Sequence, residues 1–133
     1  MSEFNVKIVT PDGELFSGAL SALLVTAETG EVQILRGHVD FFAPLKTGKA
    51  KLTLPDGSVR YAASSGGFIS VRGGEAMLVA TTFEFGENID KARAERAREA
   101  AEEKIKTAKT DSELKIAKAK LERAIARLSV SSK

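Results

Sequence analysis

The chain has 133 residues, 43% hydrophobic and 29% charged, with a formal net charge of +2, one His and no Cys. That length suits one domain or a small domain with an appendage, and the mixture is globular rather than disordered. Disulfide and thiol chemistry and a His/Cys metal cluster are excluded, as is a spanning helix, since no window approaches eighteen consecutive apolar residues.

The stretch Met1–Lys7 has no secretory hydrophobic region, so cytoplasm is the expected compartment. Phe4, Val6 and Ile8 alternate with Asn5 and Lys7, the pattern of a strand with one buried face. Pro11-Asp12-Gly13 turns the chain into a short strand from Glu14 to Gly18. Ala19 to Ala27 is an apolar run suited to a central strand, ended by Glu28-Thr29-Gly30. Glu31 to Leu35 follows as a strand, Arg36-Gly37-His38 as a turn, and Phe41 to Leu45 as extended chain. Lys49–Leu54, Pro55-Asp56-Gly57 and the alternating Val59, Tyr61 and Ala63 predict a hairpin. Phe68–Val71 and Ala76–Thr82 are the last strands. Short strands at this spacing imply an antiparallel sandwich or barrel.

At Phe83–Ala94 the chemistry changes. All seven Phe and the single Tyr precede Gly86, and no Gly, Pro or aromatic residue follows it. Residues 1–86 carry seven Lys/Arg and nine Asp/Glu (net −2), and residues 87–133 carry thirteen and nine (net +4). Asn88 is the predicted N-cap of a first helix, with Asp90 in its first turn. Ala94, Ala97, Ala101, Ile105 and Ala108 form its apolar stripe. The pattern breaks near Thr107–Asp111, and Thr110-Asp111-Ser112-Glu113 fits a capping box. Leu114, Ala117, Leu121, Ala124, Ile125 and Leu128 then recur at heptad-like spacing, with Ser129–Lys133 as a frayed end. The expected fold is α+β: an antiparallel β-sandwich over residues 1–86 and an antiparallel two-helix hairpin over residues 87–133. An alanine seam buries little apolar surface, at about 0.8 kcal/mol per methylene, so the hairpin is expected to be held loosely.

With the turn near 109–110, residue 93 faces roughly residue 126, and Arg123 and Arg127 lie one turn apart. Two arrangements remain open. Arg93 converges with that pair on a bound anion, or all three point to water and pair with neighbours such as Glu122 or Glu95, the commoner outcome for surface charges. His38 has no nucleophile partner, no P-loop is present, and no carboxylate pair stands out for acid–base work. The chain is therefore expected not to be an enzyme by itself. Its basic tail lacks the aromatics that nucleic-acid stacking needs.

The whole pattern resembles the epsilon subunits of F-type ATP synthases (delta in mitochondria). The motifs are Val9-Thr10-Pro11-Asp12-Gly13, Phe16-Ser17-Gly18, Gly30–His38, Ser65-Gly66-Gly67-Phe68, Ile89–Ala94 and Arg127-Leu128-Ser129-Val130. No one of them is decisive; their order and spacing along the chain are. The resemblance implies a noncatalytic central-stalk subunit that couples rotation to ATP synthesis. It implies the gamma subunit and the c-ring as partners, with the alpha/beta head contacted when the hairpin extends and inhibits ATP hydrolysis. It implies a peripheral position on the cytoplasmic face of the cell membrane, touching the membrane only through the complex, and no nucleic acid.

By the same resemblance Glu31 and His38 are c-ring contacts. The chain departs from the family pattern there, with Gln33 where Gly is usual, Arg36 and Asp40 where Pro is usual, and Phe41-Phe42 where two Leu are common. In some bacterial members Ile-Asp-x-x-Arg-Ala and arginines of the second helix bind ATP and stabilise the folded hairpin. The resemblance implies that no cofactor is required and that ATP is a regulatory ligand. Carried over, the nucleotide-binding residues are Glu84, Ile89, Asp90, Arg93, Ala94, Arg123 and Arg127, with the arginines on the phosphates and Asp90 and Glu84 at the nucleoside end. Ala100 stands where the tighter binders have a further arginine, with Arg98 nearby. The rival reading is a free-standing nucleotide-sensing module, which would not form a stable complex with gamma. A nucleic-acid adapter would require salt-dependent binding.

Overall fold

The computed structural model describes residues 3–131. Ten strands form two five-stranded sheets: β1 (Phe4–Thr10), β2 (Gly13–Leu20), β3 (Ala22–Ala27), β4 (Gly30–Leu35), β5 (Phe41–Pro44), β6 (Gly48–Thr53), β7 (Val59–Ser65), β8 (Phe68–Arg72), β9 (Glu75–Val79) and β10 (Thr82–Phe85). The first sheet has the order β2-β1-β9-β8-β5 and the second β10-β7-β6-β3-β4. A 3-10 turn (Gly86–Asn88) leads into α1 (Lys91–Thr107) and α2 (Asp111–Ser131). Among the described residues, no helix is long and apolar enough to cross a membrane.

The alternating apolar residues face each other between the sheets, as their period of two requires. Phe4, Val6 and Ile8 of β1, Leu23 and Val25 of β3, Leu52 of β6, Ile69 of β8 and Leu78 of β9 are buried there.

Four expectations need correction. The run from Ala19 to Ala27 is two strands, because the chain crosses between sheets at Ser21, whose N–H donates to the Thr53 carbonyl at 2.8 Å. Every paired neighbour is antiparallel except β1 and β9, which run parallel; a crossover connecting distant parts of the chain permits that pair. The strand expected over Ala76–Thr82 ends at Val79, and Thr82–Phe85 is a further edge strand paired antiparallel to β7. Phe83 and Phe85 face the core from it, so most of the compositional boundary belongs to the sandwich. Finally, Ser129–Ser131 is helix rather than frayed end, residues 132 and 133 lying outside the described residues.

The hairpin forms a third layer. α2 lies on the outer face of the second sheet, over β6 and β7, and α1 rests on α2. Ala94 and Ala101 of α1 meet a seam that includes Ala117 and Ala124 of α2, all buried. Ile125 is not in that seam; it is half exposed, and Ala126 is turned to the sandwich instead. The loop is closed as its sequence suggests: Thr110 Oγ1 accepts from the Glu113 N–H at 3.1 Å. The Glu113 carboxylate reaches back to the Lys109 N–H at 3.0 Å.

Candidate functional site

The joint between sandwich and hairpin is built from few residues. Val130 of α2 is wholly buried against Ala63 and Tyr61 of β7, with Ala126 and Ile89 beside it. The last turn of α2 comes so close to Gly86 that a Cβ there would collide with the Val130 carbonyl oxygen and stand 3.2 Å from its carbon. Only a residue without a side chain admits this approach. Across the turn, the Arg60 guanidinium lies over the Phe85 ring, 3.6 Å from its centroid, and its Nε donates to Glu87 at 3.0 Å. That hydrogen bond holds the Glu87 carboxyl below its ordinary pKa.

The expected N-cap is displaced by two residues. Asn88 belongs to the 3-10 turn, and Asp90 is the cap of α1: its side chain accepts from the Arg93 N–H at 3.0 Å. Ile89 and Asp90 have extended backbone, so α1 starts only after them, and Asp90, next to its first turn, takes the cap. Asp90 thus has a structural task beside any ligand contact.

Beside this joint opens a cavity of about 350 Å³. Glu84 lines it from β10, Asn88, Ile89 and Asp90 from the joint, Arg93, Ala94 and Ala97 from α1, and Arg127 from α2. Six of the seven residues named from sequence therefore share one space. Arg123 is not among them. It lines a neighbouring crevice of about 10 Å³, room for one water, together with Ser64 and Arg127. Ser64 is buried there, and its hydroxyl has no hydrogen-bond partner among the described residues.

The idea of three arginines with no carboxylate among them also fails. Arg127 Nε donates to Glu84 Oε1 at 2.6 Å, an ion pair that ties α2 to the edge strand. The sequence could not show it, because 43 residues separate the partners. Among the described residues neither Arg93 nor Arg123 forms an ion pair, whereas Arg98 is held by Glu95 and Glu102. Asn88 and Ala97 are the lining residues that the motif alone did not mark; Ala97 lies one turn beyond Arg93 on the same helix face.

Glu31 and His38 are not brought together. Glu31 sits at the β3–β4 hairpin, near Lys49 (3.8 Å), while His38 follows the far end of β4. The four steps from Glu31 to Leu35 alone span about 13 Å of strand. His38 Nδ1 donates to the Val39 carbonyl (2.8 Å), and the ring packs edge-on to Phe41, with ring centroids 5.6 Å apart. Leu35, Val39 and Phe42 are exposed around it.

Residues 3–86 match the family described as "ATP synthase, Delta/Epsilon chain, beta-sandwich domain". Residues 87–132 match its companion, "ATP synthase, Delta/Epsilon chain, long alpha-helix domain". The chain is 39% identical over 130 residues to an ATP synthase epsilon chain of Bacillus velezensis, covering 98% of each. It is 40% identical over 115 residues to that of Bacillus subtilis, covering 86% of each. In fold it is similar to a chain in the structure of the Euglena gracilis mitochondrial ATP synthase, with a TM-score of 0.86 at 20% identity, covering 98% of this chain and 82% of that one. A chain in the central stalk/c-ring structure of the Tetrahymena thermophila enzyme matches at a TM-score of 0.64 and 16% identity, covering 96% and 95%.

Proposed function

This chain belongs to the ATP synthase delta/epsilon chain family, whose members are noncatalytic subunits, and from that premise we propose that it is a central-stalk subunit with a nucleotide-gated hairpin. Its partners are the gamma subunit and the c-ring, and it lies peripherally on the cytoplasmic face of the cell membrane. The sandwich is the fixed part. The exposed Leu35, Val39 and Phe42 around His38, and Glu31 at the opposite end of β4, are the surfaces offered to the ring.

The observation that carries the regulatory reading is the placement of the cavity. It is walled at once by the sandwich edge (Glu84), the joint (Ile89 and Asp90) and both helices (Arg93, Ala94 and Arg127). A ligand that fills it contacts parts that separate when the hairpin leaves, so it favours the docked state by binding that state alone. Its volume lies in the range of small-molecule sites. Arg93, unpaired in its wall, suits a phosphate. ATP bound there holds the hairpin down; without it the hairpin is free to extend toward the alpha/beta head and inhibit ATP hydrolysis.

Calorimetry of ATP against the parent chain and against Arg93→Ala tests the site directly. Heat with the parent and none with the variant is expected. No heat with the parent at millimolar ATP removes the site from the account. ATPase rates of the assembled complex carrying parent chain or Gly86→Ala test the consequence, and the variant is expected to hydrolyse ATP more slowly.

A further inference from the structure

The segment between β4 and β5, Arg36–Asp40, carries part of the exposed surface around His38. Gly37, at φ +82°, turns the chain, and the His38 N–H closes the turn on the Leu35 carbonyl at 3.1 Å. Val39 is then 74% exposed. Phe42, 65% exposed, lies against the Phe68 ring of β8, with centroids 5.1 Å apart. This stretch is at the margin of the fold. β5 is an edge strand of four residues, and its ladder with β8 begins at Phe41 opposite Val71. A hollow of about 400 Å³ opens beside it, lined by Asp40, Phe41, Phe42, Ser70, Val71 and Arg72.

One contact reaches past that ladder. Asp40 Oδ1 accepts from the Gly73 N–H at 3.0 Å, across 33 residues of sequence. Gly73 (φ +58°) and Gly74 (φ +82°) make the two-residue turn between β8 and β9, closed by the pair Arg72 and Glu75. Two positive φ values give the primed hairpin turn, whose central N–H groups take no part in the hairpin's own ladder. Asp40 supplies the acceptor for one of them. Its carboxylate therefore continues the β5–β8 pairing beyond Phe41, where the backbone no longer does. A carboxylate accepting from a backbone N–H is among the stronger hydrogen bonds. We propose that Asp40 is a positioning residue for the ring-facing surface: its tie to the β8–β9 turn fixes Val39 and Phe42, which flank it, in the arrangement that docks. This rests on the reading of that surface as the ring contact. A patch already held in its bound arrangement loses less conformational freedom on association.

The test compares the full parent chain with Asp40→Ala and with Asp40→Asn, which keeps an acceptor oxygen. The readouts are exchange of the Gly73 amide by NMR, the denaturant midpoint of the sandwich, and affinity for the purified c-ring in detergent. In Asp40→Ala the Gly73 amide should exchange about tenfold faster and the ring should be bound about fivefold more weakly, as loss of one hydrogen bond implies. The midpoint should move little, both ends of the tie being exposed. Asp40→Asn should match the parent in all three. Unchanged Gly73 exchange or unchanged ring affinity in Asp40→Ala overturns the proposal and leaves the ring reading standing. So does an equal loss of affinity in Asp40→Asn, which would assign the effect to charge, or a loss matched by a collapse of the midpoint, which would make the residue merely structural. A parent chain that does not bind the ring overturns the reading of that surface and the proposal with it.

Discussion

Between the two sheets Ile8, Leu20, Leu23, Ile34, Leu52, Ile69 and Leu78 are all wholly buried; between sandwich and hairpin the wholly buried large side chain is Val130. The rest of the apolar cluster at that joint is Ala63, Ala126 and the partly buried Tyr61 and Ile89. The helix-to-helix seam is alanine as well. Apolar burial stabilises in proportion to area, so the two regions differ in how much free energy separates their closed and open states. A large core makes a rigid platform. A small one makes an arm whose position other interactions, including a bound ligand, can decide.

The largest expected effect lies in the platform. Leu23→Ala should lower the stability of the sandwich by about 3 kcal/mol, read as a lower denaturant midpoint. Val130→Ala sharpens the contrast. It should cost docking about 2 kcal/mol and raise hydrogen exchange across residues 91–131, while the sandwich exchanges as before. Gly86→Ala should do the same by collision with the Val130 carbonyl rather than by lost burial. If either variant unfolds the sandwich together with the hairpin, the two regions are one cooperative unit and the contrast is broken.

Smaller effects come from charges across the joint. Glu84→Gln removes the ion pair with Arg127; both groups are partly exposed, so docking should weaken by no more than about 1 kcal/mol, and less at high salt. The smallest effect is that of pH on Glu87. Its folded pKa is depressed by Arg60, so its contribution is fully present above the pKa of the unfolded carboxyl. The contribution is lost as pH falls through the lower, folded value. Exchange at the joint should rise in that acid window in the parent and be flat in Arg60→Met.

How much of this was legible beforehand follows from the range of each interaction. Alternation in β1 and the turn at Pro55-Asp56-Gly57 are local, and they located their strands. The split at Ser21, the edge strand Thr82–Phe85 and the parallel β1–β9 pair depend on partners distant in sequence. That Arg93 and Arg127 share one cavity is what helix geometry allowed, because a short loop fixes which residues of a hairpin face one another. The same geometry put Arg123 with them, and it lines the neighbouring crevice instead, while Ala94 came only from the resemblance. Glu84 as the partner of Arg127 does not follow from that geometry, since it comes from the sheet edge. Gly86 stood at the compositional boundary, yet its role is visible only once the end of α2 is laid against it.

Hydrogen exchange of the full chain with and without saturating ATP tests the central claim most directly. ATP is expected to raise protection across residues 91–131 and to leave the strands of the sandwich unchanged. Equal protection of the hairpin with and without ATP, or a hairpin already as protected as the sandwich in its absence, would contradict a ligand-held arm.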